Sequence, residues 1–117
     1  MGTELAVRSA SLPTVANAPD GFQVSFVDGR VTVIGEVDAL TAPRVEKCLN
    51  ECDSSSEIHL DASQVTFLDS GGLRLLISQH NRFDASGGRL IIVAPSRPVA
   101  RLLEITALTD LLHIVSD

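Results

Sequence analysis

Apolar and polar residues alternate from Phe22 onward. FQVSFV (Phe22–Val27) and RVTVIGEV (Arg30–Val37) both repeat with a period of two, and Asp28-Gly29 between them has the composition of a two-residue hairpin turn. The period then lengthens. In LTAPRVEKCLNEC, the residues Val45, Cys48, Leu49 and Cys52 fall on one face of a helix, with Thr41 as its candidate cap. Pro43 is compatible with that helix because it falls in the first turn. EIHLDAS (Glu57–Ser63) reads as a short strand, and VTFLD then runs extended to Ser70. A second helix follows, placing Leu73, Leu76, Ile77, His80 and Phe83 at helical spacing until Gly87-Gly88 stops it. RLIIVA (Arg89–Ala94) is continuously apolar, as a strand in the middle of a helix-covered sheet would be. Ser96 and Pro98 open a third helix carrying Val99, Leu102, Leu103 and Ile105, and LLHIV (Leu111–Val115) is the closing strand.

This order predicts one small α/β domain over residues 21–117. Its mixed β-sheet opens with a hairpin and carries helices on at least one face. Right-handed crossovers keep consecutive helices on the same side unless the strand order reverses. Residues 1–20, MGTELAVRSASLPTVANAPD, hold small and polar residues with no sustained period. They read as an N-terminal tail, flexible unless it packs on the domain. There are no internal repeats.

Composition narrows the function classes. With 44% apolar and 21% charged residues the 117-residue chain has the balance of a soluble globular protein. Four Phe, no Trp and no Tyr leave little for stacking on bases or sugars. A net charge of −6, with nine scattered basic residues, argues against a nucleic-acid partner. No apolar run reaches the roughly 18–20 residues of a membrane span, and no signal-peptide pattern opens the chain, so a cytoplasmic location is expected. Cys48 and Cys52 lie one helical turn apart. A disulfide there would be poorly aligned, and a zinc site would want about four ligands where His59 is the nearest addition. Both are expected to be apolar packing residues, with no metal and no cofactor called for.

The chemistry concentrates in VTFLDSGGLRLLI (Val65–Ile77). Ser70 stands before the second helix, where its oxygen can accept a backbone N–H from Gly72 or Leu73 as an N-cap. Gly71 and Gly72 are poor helix formers, together costing about 1–2 kcal/mol against alanine, yet they leave N–H groups of a helix start open to an anion. Ser70 therefore reads either as a cap or as the acceptor of a phosphoryl group. A nucleophilic role fails on its partners. His59 and His113 sit in strands and His80 on a core-facing helix stripe, so no base stands in a strand-end loop. No G-x-S-x-G elbow is present, and DSGG is a chance match to serine proteases.

The same segment resembles the phosphorylation segment of bacterial anti-sigma-factor antagonists, the stand-alone members of the STAS family. Their pattern is an apolar pair, Asp, Ser, a small hydroxyl residue, Gly and Leu, leading into a helix. GEVDALTAP (Gly35–Pro43) resembles the family's segment between second strand and first helix. GGRLIIVAPSRPVARLLEITALTDLLHIV resembles its closing strand, helix and strand. The resemblance covers about residues 22–115. It implies an anti-anti-sigma factor, a regulatory protein and not an enzyme. Unphosphorylated, such a protein binds an anti-sigma factor with serine-kinase activity and frees the sigma factor. Phosphorylation at Ser70 ends the binding, and a serine phosphatase restores it. By the same resemblance Asp38, Asp69, Gly71, Gly72 and Arg74 lie on the partner-binding surface. Asp38 is the acid of the neighbouring loop, which alternatively ends its strand and helps cap the first helix. Asp69 orients the serine or its loop.

Two positions depart from the family pattern. Gly71 replaces the usual Ser or Thr, leaving Ser70 as the only hydroxyl in the loop. Arg74 replaces a small residue, which implies a crowded partner surface or an added ion pair, and hence a distinct partner. The alternative function is a STAS scaffold or small-ligand-sensing module that is not phosphorylated.

Overall fold

The computed structural model describes residues 21–116, and the expected tail at residues 1–20 lies outside them. Eight elements follow in chain order: β1 (Gln23–Val27), β2 (Arg30–Val37), α1 (Ala42–Asn50), β3 (Glu57–Leu68), α2 (Ser70–Ala85), β4 (Arg89–Val93), α3 (Arg97–Ile105) and β5 (His113–Val115). The strands form one mixed sheet in the order β1-β2-β3-β4-β5, with β1 antiparallel to β2 and the others parallel. Asp28 and Gly29 both take positive φ, 51° and 79°, as a tight hairpin matching the strand twist requires.

Because the order never reverses, right-handed crossovers place all three helices on one face. Burial agrees. On β3 the residues Ile58, Leu60 and Ala62 are buried, while Glu57, His59 and Asp61 alternate to the other side. There Arg30 pairs with Asp61 at 3.4 Å and His59 with Glu57 at 2.9 Å. The covered face joins Val33 and Leu60 to Val45 of α1, Leu75 and Leu76 of α2 and Val99 of α3 in a single core. The void left among them is about 20 Å³.

Four sequence expectations are corrected. β3 is a twelve-residue strand, not two extended pieces; a register shift between Thr32 and Ile34 of β2 absorbs the Ser63-Gln64 irregularity that breaks its alternation. The buried face of α2 is Gly72, Leu75, Leu76, Gln79, His80 and Phe83, so Leu73 and Ile77 lie at its margin. Ile105, at the end of α3, is 70% exposed. The last strand starts at His113, since Leu111 and Leu112 close a turn by bonding back to Leu108.

A polar lock joins α1 to α2. Gln79, fully buried, donates its Nε2 to Asn50 Oδ1 at 2.9 Å and accepts from Arg82 Nε at 3.0 Å. Arg82 Nη2 donates in turn to the Leu49 carbonyl, which also accepts from Cys52 N at 3.0 Å just past the end of α1.

Candidate functional site

The parallel strands β2 and β3 end together, with Val37 opposite Leu68. The two loops that follow are therefore adjacent, and Asp69 N donates to Val37 O at 3.2 Å. Asp38 and the Asp69-Ser70 helix start consequently stand at the same end of the sheet, where α/β folds usually place their chemistry.

The start of α2 differs from the sequence expectation. Its N-cap is Asp69, in extended conformation, whose Oδ1 accepts from Gly72 N at 3.0 Å. Ser70 is the first residue of the helix proper, exposed, and its hydroxyl has no hydrogen-bond partner among the described residues. Capping is thus done by the acid, and the serine is left over. None of the three histidines reaches it. His59 engages Glu57, while the His80 and His113 rings lie 5.0 Å apart.

The two glycines have different reasons. A Cβ on Gly72 would fall 2.3 Å from Leu68 Cδ1 and 3.1 Å from Val37 Cγ1. Gly72 is buried because α2 begins pressed against the strand ends. Gly71 is half-buried, and a Cβ there would meet the capping Asp69 Oδ1 at 3.2 Å. Of the residues the resemblance assigns to the partner surface, Asp38, Asp69, Gly71 and Arg74 are at least partly accessible; Gly72 lies behind them.

Asp38 organises its own loop. Its Oδ1 accepts from Leu40 N at 2.9 Å and Thr41 N at 3.1 Å, with Thr41 Oγ1 3.2 Å away. The Thr41 N–H above all, with the Leu40 N–H, holds its carboxyl below the usual range against an upward push from burial. Thr41 occupies the cap position of α1 but makes no capping bond. Its hydroxyl, buried, donates to Glu36 O at 2.6 Å and accepts from Asp38 N at 3.0 Å, stitching the loop to β2. A similar arrangement serves α3, where Ser96 donates its hydroxyl to Val65 O instead of capping.

Two residues at this end escaped the sequence reading. Leu40 is 84% exposed in the loop beside Asp38, and Phe67, one residue before the end of β3, is 47% exposed. The only sequence signal was an apolar residue one place outside each regular pattern. Between α1 and α2 an open groove runs from Ala39 and Gly71 past Glu46 and Arg74 to Asn81.

The cysteines lie away from this end. Cys52 is buried and its thiol donates to Cys48 O at 3.4 Å. Burial, with Cys52 and Glu51 nearby, pushes the Cys48 thiol up to about 11, and burial also raises Cys52. Among the described residues no group of three or more His, Cys, Asp or Glu stands ready to hold a metal, and no helix is long and apolar enough to cross a membrane.

A mixed five-stranded sheet with three helices on one face, and an exposed serine with two acids at the end where β2 and β3 stop, defines the class: a small α/β domain. The chain belongs to the STAS domain family, whose model matches residues 22–117. It is 34% identical over 86 residues to the anti-sigma-B factor antagonist of Staphylococcus aureus, covering 72% of this chain and 80% of that one. The Staphylococcus epidermidis protein of the same name is 31% identical over the same length. An anti-sigma factor antagonist from Mycobacterium paratuberculosis superimposes with a TM-score of 0.70 at 29% identity, covering 86% of this chain and 90% of that one. The fold is also that of the Bacillus protein SpoIIAA in its phosphorylated form, at a TM-score of 0.59 and 19% identity, covering 82% of this chain and 92% of that one.

Proposed function

We propose that the protein is a cytoplasmic anti-sigma-factor antagonist, a binding protein without catalysis of its own, switched by phosphorylation at Ser70. Unphosphorylated, it binds an anti-sigma factor that is also a serine kinase, and so frees a sigma factor. The observation that carries this reading is the Ser70 hydroxyl itself, exposed and without a structural bond while Asp69 does the capping. The antagonist relatives support it, and so does the phosphorylated form known for SpoIIAA. In the transfer step the Ser70 oxygen attacks the γ-phosphorus of ATP, ADP departs, and the hydroxyl proton passes to a base supplied by the kinase. A serine phosphatase reverses the state by hydrolysis.

The partner surface comprises Asp38, Asp69, Gly71 and Arg74, with Gly72 fixing the helix start from behind. Leu40 and Phe67 add the apolar anchors that such surfaces need near their centres. A phosphate adds about −1.5 to −2 charges at neutral pH. A partner matched to two carboxylates would then have to desolvate or oppose a dianion, which costs several kcal/mol. The domain itself would change little, because no bond of the Ser70 hydroxyl has to break. The 20 Å³ core void is far below the roughly 300 Å³ of a small-molecule pocket, so the ligand-sensing alternative gains no support from the core.

Incubation with Mg-ATP and each anti-sigma kinase of the source organism tests this reading by intact mass and peptide mapping. One phosphate on Ser70, absent from Ser70→Ala, is the expected result. Labelling elsewhere, or on folded Ser70→Ala, would overturn it.

A further inference from the structure

Arg74 is four residues after Ser70 on α2, and both are exposed. Side chains so spaced on a helix are neighbours, with Cβ atoms roughly 5–6 Å apart, and an acid placed four residues before a base is the favourable order. Arg74 makes no ion pair or hydrogen bond with another described residue. Its neighbour across the open groove is Glu46 of α1, and no ion pair within 4.0 Å joins them. A guanidinium is therefore free within reach of the Ser70 oxygen, and its planar donors suit a phosphate bidentately.

We infer that Arg74 is a positioning residue that clamps the phosphate of phosphorylated Ser70 onto its own helix. The inference rests on the phosphorylation proposed above. The clamp gives the modified state a fixed shape: the dianion lies over the first turn of α2, toward the groove, and Arg74 is withdrawn from the partner. One event thus adds negative charge to the partner surface and removes a positive group from it.

The charges that face the phosphate are Asp69 at the helix start, Asp38 in the adjoining loop, Glu46 across the groove and Arg74. The three acids favour the monoanion, and Arg74 favours the dianion. The helix N-terminus favours the dianion in both proteins, so removing Arg74 should move the second ionisation upward relative to wild type.

Phosphoserine installed at position 70 during translation allows a test that needs no kinase. The phosphorus NMR titration should place the second ionisation of wild type about 0.15–0.4 pH unit below that of Arg74→Gln, as expected of an i, i+4 pair when the phosphate gains its second charge. Arg74→Lys should recover part of the shift, and about 1 M salt should remove most of it. Equal midpoints in wild type and Arg74→Gln, both folded by circular dichroism, would overturn the clamp and leave the Ser70 switch standing. A clear shift in a protein that no kinase labels would support the clamp geometry and count against the switch.

Discussion

Removing the carboxylate of Asp69 should destabilise the domain, while removing the hydroxyl of Ser70 should not. In Asp69→Ala the Gly72 N–H loses its 3.0 Å acceptor. Loss of an N-cap costs about 0.5–2 kcal/mol. Because Gly72 is buried, its N–H cannot readily turn to water, which places the cost in the upper half of that range. The lost negative charge at the helix N-terminus acts in the same direction. With about 1 kcal/mol shifting Tm by roughly 4–8 °C in a domain of this size, Asp69→Ala should melt about 5–16 °C lower. Asp69→Asn keeps a capping oxygen and should lose about 0.5 kcal/mol or less. Ser70→Ala removes an unpartnered hydroxyl from an exposed helical position and should stay within about 0.5 kcal/mol of wild type. Urea denaturation with a shared m-value measures all three. A Ser70→Ala protein that loses more than about 1 kcal/mol, with Asp69→Ala unchanged, would refute the assignment of the cap.

Gly72→Ala gains about 1 kcal/mol of helix propensity but sets a Cβ 2.3 Å from Leu68 Cδ1, so the overpacking cost of roughly 1–3 kcal/mol should dominate and urea midpoints should fall. A stabilised variant would mean that α2 does not press on the strand ends. The folded pKa of Asp38 is lowered, so its contribution to stability is fully present above the ordinary value of 3.8 and is lost as pH falls through the lower folded value. A carboxyl-carbon NMR titration should find its midpoint below 3.8. Asp38→Asn should keep the loop, since the carboxamide oxygen can still accept from Leu40 and Thr41, yet weaken partner binding; unchanged affinity would leave Asp38 a loop residue alone. Cys48 and Cys52, both raised above the ordinary thiol range, should react with a maleimide at pH 8 far more slowly than a free cysteine, and partner binding should ignore reductant. Fast alkylation of the folded protein would contradict that burial.

The hairpin, the alternating strands and the element order were legible because each depends on local chemistry alone. The starts of α1 and α3 were also legible, at Thr41 and Ser96, but the start of α2 was not. Serine, threonine and aspartate are comparable caps, so LDSGG is ambiguous by one residue until the burial of Leu68 fixes where the strand ends. Thr41 does hold the cap position of α1, but that its hydroxyl is committed to Glu36 O instead of capping is a tertiary fact. The face of α2 was misread because Leu73 and Ile77 are apolar and Gly72 and Gln79 are not. Gly72 faces inward only because no side chain fits against Leu68, and Gln79 is buried only because Asn50 and Arg82 complete its hydrogen bonds. Both reasons are tertiary. The Ser70 segment stood out in the sequence, but that its hydroxyl is spare emerged only with Asp69 in place.

The most direct test of the switch compares three forms of the protein binding one anti-sigma factor: wild type, Ser70→Ala, and protein carrying phosphoserine at position 70. Titration calorimetry should give wild type and Ser70→Ala similar affinities. The phosphorylated form should bind about 100-fold more weakly, equivalent to roughly 2.8 kcal/mol, while melting within a few degrees of wild type. Equal affinity of the phosphorylated and unphosphorylated proteins would contradict the account.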